Sequence, residues 1–400
     1  MTKDRIVLLD SLRGLGVLGI LLCNAPDFAV PPPLSESAAN WPHGTGPATL
    51  GVWVVTQWLF QRKFVTLFAM LFGVSIFLVG GERSDLERGA ILRKRLSWMV
   101  VFGLLHGFAV WFGDVLLSYA LAGFAVLLAR SWAPRRLIRT GVTIWAAFTG
   151  LMLVGMSIAA FMPHEPAQAV LEAAKEVAKG KAAEAQYGGT FVQSLVQNAK
   201  DRLGFLTAEP IIFVMTSSLM LIGLGCFKAG VLTGEASDRL YRRLLVLGLS
   251  ASVLIGGLFV AQVALGLPRA LGLVSLGLQW MLAPLTTLAY VALMVFAARS
   301  KAWSAIPKAL APVGQMAFTN YLSQSLIMTV IFYGGRGLSL HGQVDRPGLA
   351  AIVVTIWVAQ ILWSRWWMDR FEMGPLEWVW RRLYRGPTPI RRPKLEPVIA

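Results

Sequence analysis

Charge is what this sequence has least of. Charged residues make up 14% of its 400 positions, where a soluble domain carries about 25%. Acids are the scarcer sign, with 21 Asp and Glu against 37 Lys and Arg, a formal +16. Hydrophobic residues reach 56% and the mean hydropathy is +0.61. A soluble chain cannot hide that much apolar surface, so two or three soluble domains are excluded and a polytopic membrane protein is expected. Cysteine is nearly missing. Cys23 and Cys226 both lie in apolar runs and have no zinc or redox spacing, so they read as small core residues. Leu22 is too large for the small residue that a lipoprotein cleavage box needs before Cys23. A cleavable signal is also missing. Lys3 and Arg5 precede an apolar run, but Asp10 and Arg13 interrupt it and no small-x-small site follows. Neither an internal repeat nor a soluble domain is visible.

What is present is a series of long apolar runs. A bilayer core needs about 20 mostly apolar residues per helix. Segments 6–25, 64–80, 96–112, 115–129, 140–162, 210–227, 244–266, 271–298, 312–333 and 347–367 qualify, predicting an all-α protein of about ten transmembrane helices. The fifteen Trp and 21 Phe suit anchoring at bilayer interfaces. Residues 48–60 are too short for a span and are expected as an outer-surface helix leading into the second one. Pro284 should kink the eighth span, and Pro312 reads as the first-turn proline of the ninth.

The basic excess tests this topology. With the N-terminus inside, 26 of the 37 Lys and Arg fall in inner loops and termini, 10 fall outside, and Arg13 lies within a span. Every inner loop is then basic, as the positive-inside rule requires. Both termini are therefore expected in the cytoplasm of a bacterial cell, with the chain in the cytoplasmic (inner) membrane. The charge is topogenic, and nucleic acid is not expected as a partner. Residues 1–400 read as one membrane domain. It carries an Ala-rich extracytoplasmic helical insertion at 164–209 and a basic amphipathic tail at 370–400. The insertion should break near Gly180 and Gly188-Gly189, and a spacer between two five-span halves is favoured over a lid. Pro375, Trp378, Trp380 and the following arginines describe an interfacial helix on an anionic leaflet, and 386–398 is expected to be disordered.

Ionisable groups inside spans are costly, so each is a candidate site. Asp10 and Arg13 sit three apart on the first span, a pairing distance, and Asn24 follows on the same face about three turns later. They form either a structural pair or a polar stripe lining a cleft. His106 lies roughly 16 Å along its helix from Arg95, near the bilayer midplane, and Asp114 marks the outer end where the third span meets the fourth. A midplane histidine suits a general base or proton relay, with an interhelical hydrogen bond as the plainer role; Asp114 would orient it or cap the fourth span. In the ninth span Gln315, Thr319, Asn320, Ser323 and Gln324 form one wide polar face. It is read as the wall of a cavity rather than as glue between helices. The tail arginines, Arg381 among them, could also grip phosphates of a nucleotide-bearing cofactor, with membrane adhesion the favoured reading. No metal is expected.

Several stretches together resemble the YeiB-like family, bacterial membrane proteins defined by domain of unknown function 418. They are Leu9-Asp10-Ser11-Leu12-Arg13-Gly14, then Lys63-Phe64 through Leu71-Phe72-Gly73. His106-Gly107 follows, with Trp111-Phe112-Gly113-Asp114 and Tyr119-Ala120. Later come Ala317-Phe318-Thr319-Asn320-Tyr321 with Gln324-Ser325, and Gly374-Pro375-Leu376-Glu377-Trp378. Phe318 and Ser118 depart from the pattern. The family is distantly similar to transmembrane acyltransferases, which move an acyl group from a cytoplasmic donor, often acyl-CoA, to a sugar-like acceptor. The resemblance implies that His106 activates an acceptor hydroxyl or carries the acyl group, oriented by Asp114 or by Tyr119 as a donor. Arg13, Asn24, Asn320 and Gln324 would line the cavity, and the Arg93-Lys94-Arg95 cluster with tail arginines such as Arg381 would bind the phosphates of the donor. The rival readings are a proton-coupled small-molecule transporter and a non-catalytic membrane protein.

Overall fold

The computed structural model describes residues 3–162, 166–265, 269–387 and 389–390, and every regular element among them is a helix. The long α1 (Lys3–Ala29) is followed by a short α2 (Pro32–Ser35). Next come α3 (Pro47–Val55), which runs into a π-helical turn at Thr56–Phe60, and α4 (Lys63–Gly80). An α5–α6 hairpin (Leu86–Ala109, Leu116–Ala129) leads to α7 (Pro134–Phe161). The outer pair α8 (Pro166–Tyr187) and α9 (Phe191–Thr207) precede α10 (Glu209–Lys228), α11 (Asp238–Ala264) and α12 (Arg269–Arg299). The chain closes with α13 (Ala305–Gln315), α14 (Ala317–Phe332), α15 (Arg346–Met368) and α16 (Pro375–Arg385).

Seven stretches are helical, long and apolar enough to cross a membrane: Val7–Ala29, Pro47–Gly80, Pro134–Phe161, Glu209–Lys228, Asp238–Ala264, Leu271–Arg299 and Arg346–Met368. The other three expected spans coincide with α5, α6 and the α13–α14 pair. Arg88, Arg93, Lys94 and Arg95 keep the first half of α5 polar. The 14-residue α6 reaches only about 21 Å. Exposed Leu, Val and Ile cover the outward faces of α7 (Leu151, Val154, Ile158), α11 (Val246, Val253, Leu254) and α15 (Val354, Val358, Leu362). Such faces suit lipid, which makes this a multi-pass membrane protein.

Small residues set the closest helix contacts. A Cβ on Gly14 would stand 2.1 Å from the Leu310 carbonyl oxygen, and one on Gly314 1.8 Å from that of Asp10. Backbones of α1 and α13 therefore touch, the arrangement that small residues allow between membrane helices. Gly314→Ala is expected to push the pair apart and to cost about 1–3 kcal/mol. A lower melting temperature in detergent would register this, and an unchanged one would contradict the contact.

Several expectations need correction. Pro312 does not open the ninth span. It lies inside α13, and the helix breaks at Met316. The break is stabilised from outside, because the Glu377 carboxylate of α16 accepts from the Phe318 and Thr319 N–H groups at 2.7 and 3.1 Å and from the Thr319 hydroxyl. Pro284 sits within a helix that continues through it. Segment 48–60 is helical but not peripheral, for Trp53 is buried edge-on against Phe259 of α11. Arg62 takes a left-handed conformation (φ 69°) and ends this segment. The carbonyls freed there are taken up by buried side chains: Lys63 on Trp58, Gln279 on Gln57 at 2.6 Å, and Tyr290 on Leu59 at 2.8 Å. In the outer segment Gly180 stays helical against Leu34, while Gly188-Gly189 does separate α8 from α9, which a Thr190–Gln193 capping box opens. The expected disorder of 386–398 falls mostly outside the described residues.

Candidate functional site

The N-terminal part of α1, the C-terminal part of α4, the N-terminal part of α5, the α13–α14 break and α16 converge around one cavity of about 370 Å³. Its wall divides by chemistry. Ile20, Phe68, Leu71, Phe72, Met99 and Leu116 make an apolar lining, and Arg13, Arg95 and Arg381 supply cations. Arg13 is paired with Asp10 at 2.7 Å, one helical turn away. Arg95 has no ion pair among the described residues, and its buried Nε has no partner. Its guanidinium lies 4.5 Å over the Trp380 ring, whose Nε1–H donates to the Arg95 carbonyl at 3.2 Å. Arg13, Arg381 and Arg385 all add positive potential at Arg95. The lining also holds three carboxylates, Asp10, Glu372 and Glu377. Asp10 is taken by Arg13 and Glu377 by the α14 N-terminus, so Arg95 and Arg381 are the cations that could meet an anionic group such as a phosphate.

The tail helix is thus part of the wall. Glu377 fastens it to α14, and the Thr319 hydroxyl that donates to Glu377 accepts in turn from the Leu376 N–H at 3.1 Å. Burial pushes the Glu377 carboxyl above its usual range, and the hydrogen bonds it accepts pull it back down. Glu377→Ala removes three acceptor contacts at the α14 N-terminus and should cost about 2 kcal/mol. Faster amide exchange at Phe318 and Thr319, with freer proteolysis of α16, is the expected sign. Unchanged exchange at both amides would contradict it.

Beyond one wall of the cavity lies a buried pair. His106 Nδ1 and Asp114 Oδ1 are 2.9 Å apart, with side chains 4% and 0% exposed. With Asp114 as a carboxylate and the imidazole neutral, Nδ1 carries the proton and Nε2 keeps its lone pair. Among the described residues no hydrogen-bond partner reaches that Nε2. The other Asp114 oxygen accepts from the Leu117 N–H at 3.2 Å, so the residue both orients the imidazole and caps α6. Neither residue lines the cavity itself. Tyr321 does, and its ring centroid is 5.4 Å from that of His106.

The α5–α6 turn that carries the pair is buried at Trp111, Phe112, Gly113 and Asp114. Irregular backbone at such depth requires internal partners, and α9 supplies them. Arg202, fully buried, donates to the Phe112 and Asp114 carbonyls at 3.1 and 3.0 Å. Asn198 donates to the Gly107 and Phe108 carbonyls, both at 2.9 Å. Helix α9, in the segment expected as a spacer, is therefore fastened to the turn that carries the pair.

Of the residues expected from sequence, Asp10, Arg13, Arg95 and Arg381 meet in the cavity, while His106 and Asp114 pair beside it. The rest lie elsewhere. Asn24 is half-buried further along α1, outside the cavity lining. Tyr119 stacks behind Phe68 and Phe72, with its hydroxyl on the Val65 carbonyl at 3.3 Å. Arg93 faces outward on α5. Asn320 and Gln324 do not form a cavity wall. Asn320 donates to the Val313 carbonyl at 3.1 Å and Ser364 Oγ at 2.9 Å, and Gln324 to Gln360 Oε1 at 2.8 Å. Their amide N–H groups donate to α13 and α15, although Asn320 Oδ1 has no partner among the described residues, so they act as interhelical glue. Sequence reasoning missed Tyr321, Glu377 and Arg202 as site residues. The first two stood in the stretches that carry the family resemblance. Arg202 had no signal beyond its i,i+4 spacing from Asn198.

The comparisons with known proteins agree on a family and name no activity. A model described as protein of unknown function (DUF418) matches residues 226–387. Uncharacterized protein YeiB of Escherichia coli (strain K12) is 31% identical over 402 residues, covering 95% of this chain and 96% of its own. Uncharacterized protein YxaH of Bacillus subtilis (strain 168) is 29% identical, covering 95% and 94%. No solved structure matches the chain.

Proposed function

The chain belongs to the YeiB-like family of proteins of unknown function (DUF418), and we propose that it is a transmembrane acyltransferase using an acyl thioester with an anionic head, of the acyl-CoA type. The observation that carries this reading is the cavity, where Arg95 and Arg381, without an ion pair among the described residues, stand beside an apolar lining and His106–Asp114 lies one side chain away. The arginines take the phosphates and the apolar wall takes the acyl chain. Under the positive-inside rule the arginines belong to the cytoplasmic side of a bacterial inner membrane, where such donors are made.

The chemistry follows from the tautomer. His106 Nε2 takes the proton of an acceptor hydroxyl, on a sugar-like molecule or a lipid, as the oxygen attacks the acyl carbon. The carbon–sulfur bond breaks, an ester forms, and the imidazolium returns the proton to the leaving thiolate. Asp114 stays ionised and holds the ring. Equilibrium binding to protein in nanodiscs tests the first half. Long-chain acyl-CoA should bind more tightly than either coenzyme A or the free fatty acid, because each of those fills one half of the cavity. Equal affinity of acyl-CoA and free fatty acid would sink the donor assignment.

A carrier is the second reading, favoured by the helix breaks at Arg62 and Met316. Uptake of a small solute driven by a proton gradient, without turnover of acyl-CoA, would support it instead.

A further inference from the structure

The proposed reaction leaves one gap, and resting on that reading we infer that the Tyr321 hydroxyl is the proton relay between the cavity and His106. Tyr321 lines the cavity, whereas His106 and Asp114 do not. The Tyr321 and His106 rings are neighbours, 5.4 Å between centroids and tilted by 51°. Among the described residues neither the Tyr321 hydroxyl nor His106 Nε2 completes a hydrogen bond, to one another included, and the Val115 backbone is the group recorded beside the Tyr321 oxygen. The open donor and the open acceptor are complementary, and a small ring movement would be needed to join them.

A buried donor and a buried acceptor left open on adjacent rings are groups between which a proton can pass once they meet. The role of Asn320, the residue before Tyr321, sharpens the contrast, because its amide donates across the α14–α15 seam. Val115 and Leu116, which follow Asp114 in the chain, also line the cavity but have no polar side-chain atom to offer. Tyr321 alone among these three can pass a proton. In the step, the acceptor hydroxyl gives its proton to the Tyr321 oxygen while Tyr321 gives its own to His106 Nε2. The ester forms and the carbon–sulfur bond breaks. The reverse transfer then delivers one proton to the thiolate, so Tyr321 and His106 both return to their starting forms.

Tyr321→Phe separates this from a packing role, because the ring stays in place and only the hydroxyl is lost. Transfer from acyl-CoA to the acceptor should fall by about 100-fold or more, with donor affinity and melting temperature unchanged. A Phe variant that transfers within twofold of the unaltered protein overturns the relay and leaves the acyltransferase reading standing. Absence of transfer by the unaltered protein overturns both. Should the Phe variant not fold, Tyr321→3-fluorotyrosine makes the phenol more acidic. The relay then requires the alkaline limb of the pH–rate profile to move to lower pH, and an unmoved limb overturns it.

Discussion

His106→Ala is expected to lower acyl transfer by about 10³-fold or more while donor affinity stays within twofold. The separation of effects follows from placement. His106 is buried outside the cavity lining, so its removal takes nothing from the donor's contacts. It takes away the base whose lone pair the Asp114 carboxylate fixes on Nε2. Asp114→Asn should be nearly as damaging. An Asn side chain fills the same space and can donate to Nδ1, which moves the imidazole proton to Nε2 and leaves no base; the loss is on the order of 10²–10⁴-fold. With the amide nitrogen on His106, the carbonyl oxygen still accepts from the Leu117 N–H, so the melting temperature should change little. Single-turnover transfer and donor binding, measured on the same preparations, distinguish these outcomes. Equal loss of binding and transfer in His106→Ala would show that the histidine holds the donor.

The second large effect belongs to the arginines. Replacing Arg95 and Arg381 together with Ala should weaken acyl-CoA binding by about 10³-fold, since a hydrogen bond to a charged group contributes about 1.5–3 kcal/mol. Binding of a free fatty acid should change far less, because the apolar wall is left intact. Raised salt should weaken acyl-CoA binding in the unaltered protein and have little further effect on the double variant. Arg13 is a poorer target, because its pairing with Asp10 means that its removal also leaves a buried carboxylate alone. A double variant that still binds acyl-CoA normally would remove the phosphate assignment.

The sequence made some of this legible and concealed the rest for physical reasons. Hydropathy located the membrane helices, because apolar runs of that length have one use. The charge count grouped Arg95 and Arg381 on one expected face and left Arg13 within a span, and all three line the same cavity. The His106–Asp114 pair was visible as two costly groups eight residues apart, although the turn that joins them depends on α9, which looked like a polar spacer. Asn320 and Gln324 misled because a row of amides on one helix face is the same whether it meets a ligand or another helix. Only the positions of Gln360 and Ser364 on α15 decide between them. Pro312 misled because a proline suits a helix start, while the break here is set four residues later and capped at Phe318 by Glu377 from 59 residues further along the chain. Lys63 and Arg202 had been counted as loop charges. Both are buried donors to backbone carbonyls, a fate that no local pattern announces.

The central claim is that one protein joins an anionic acyl donor on its basic face to an acceptor through His106. The most direct measurement reconstitutes the protein in sealed vesicles with labelled acyl-CoA supplied to that face alone, and follows the label into hydroxyl-bearing sugar or lipid. The account predicts labelled ester with the unaltered protein and none above background with His106→Ala, at equal donor binding. Ester formed equally by both proteins, or no ester with either, would contradict it.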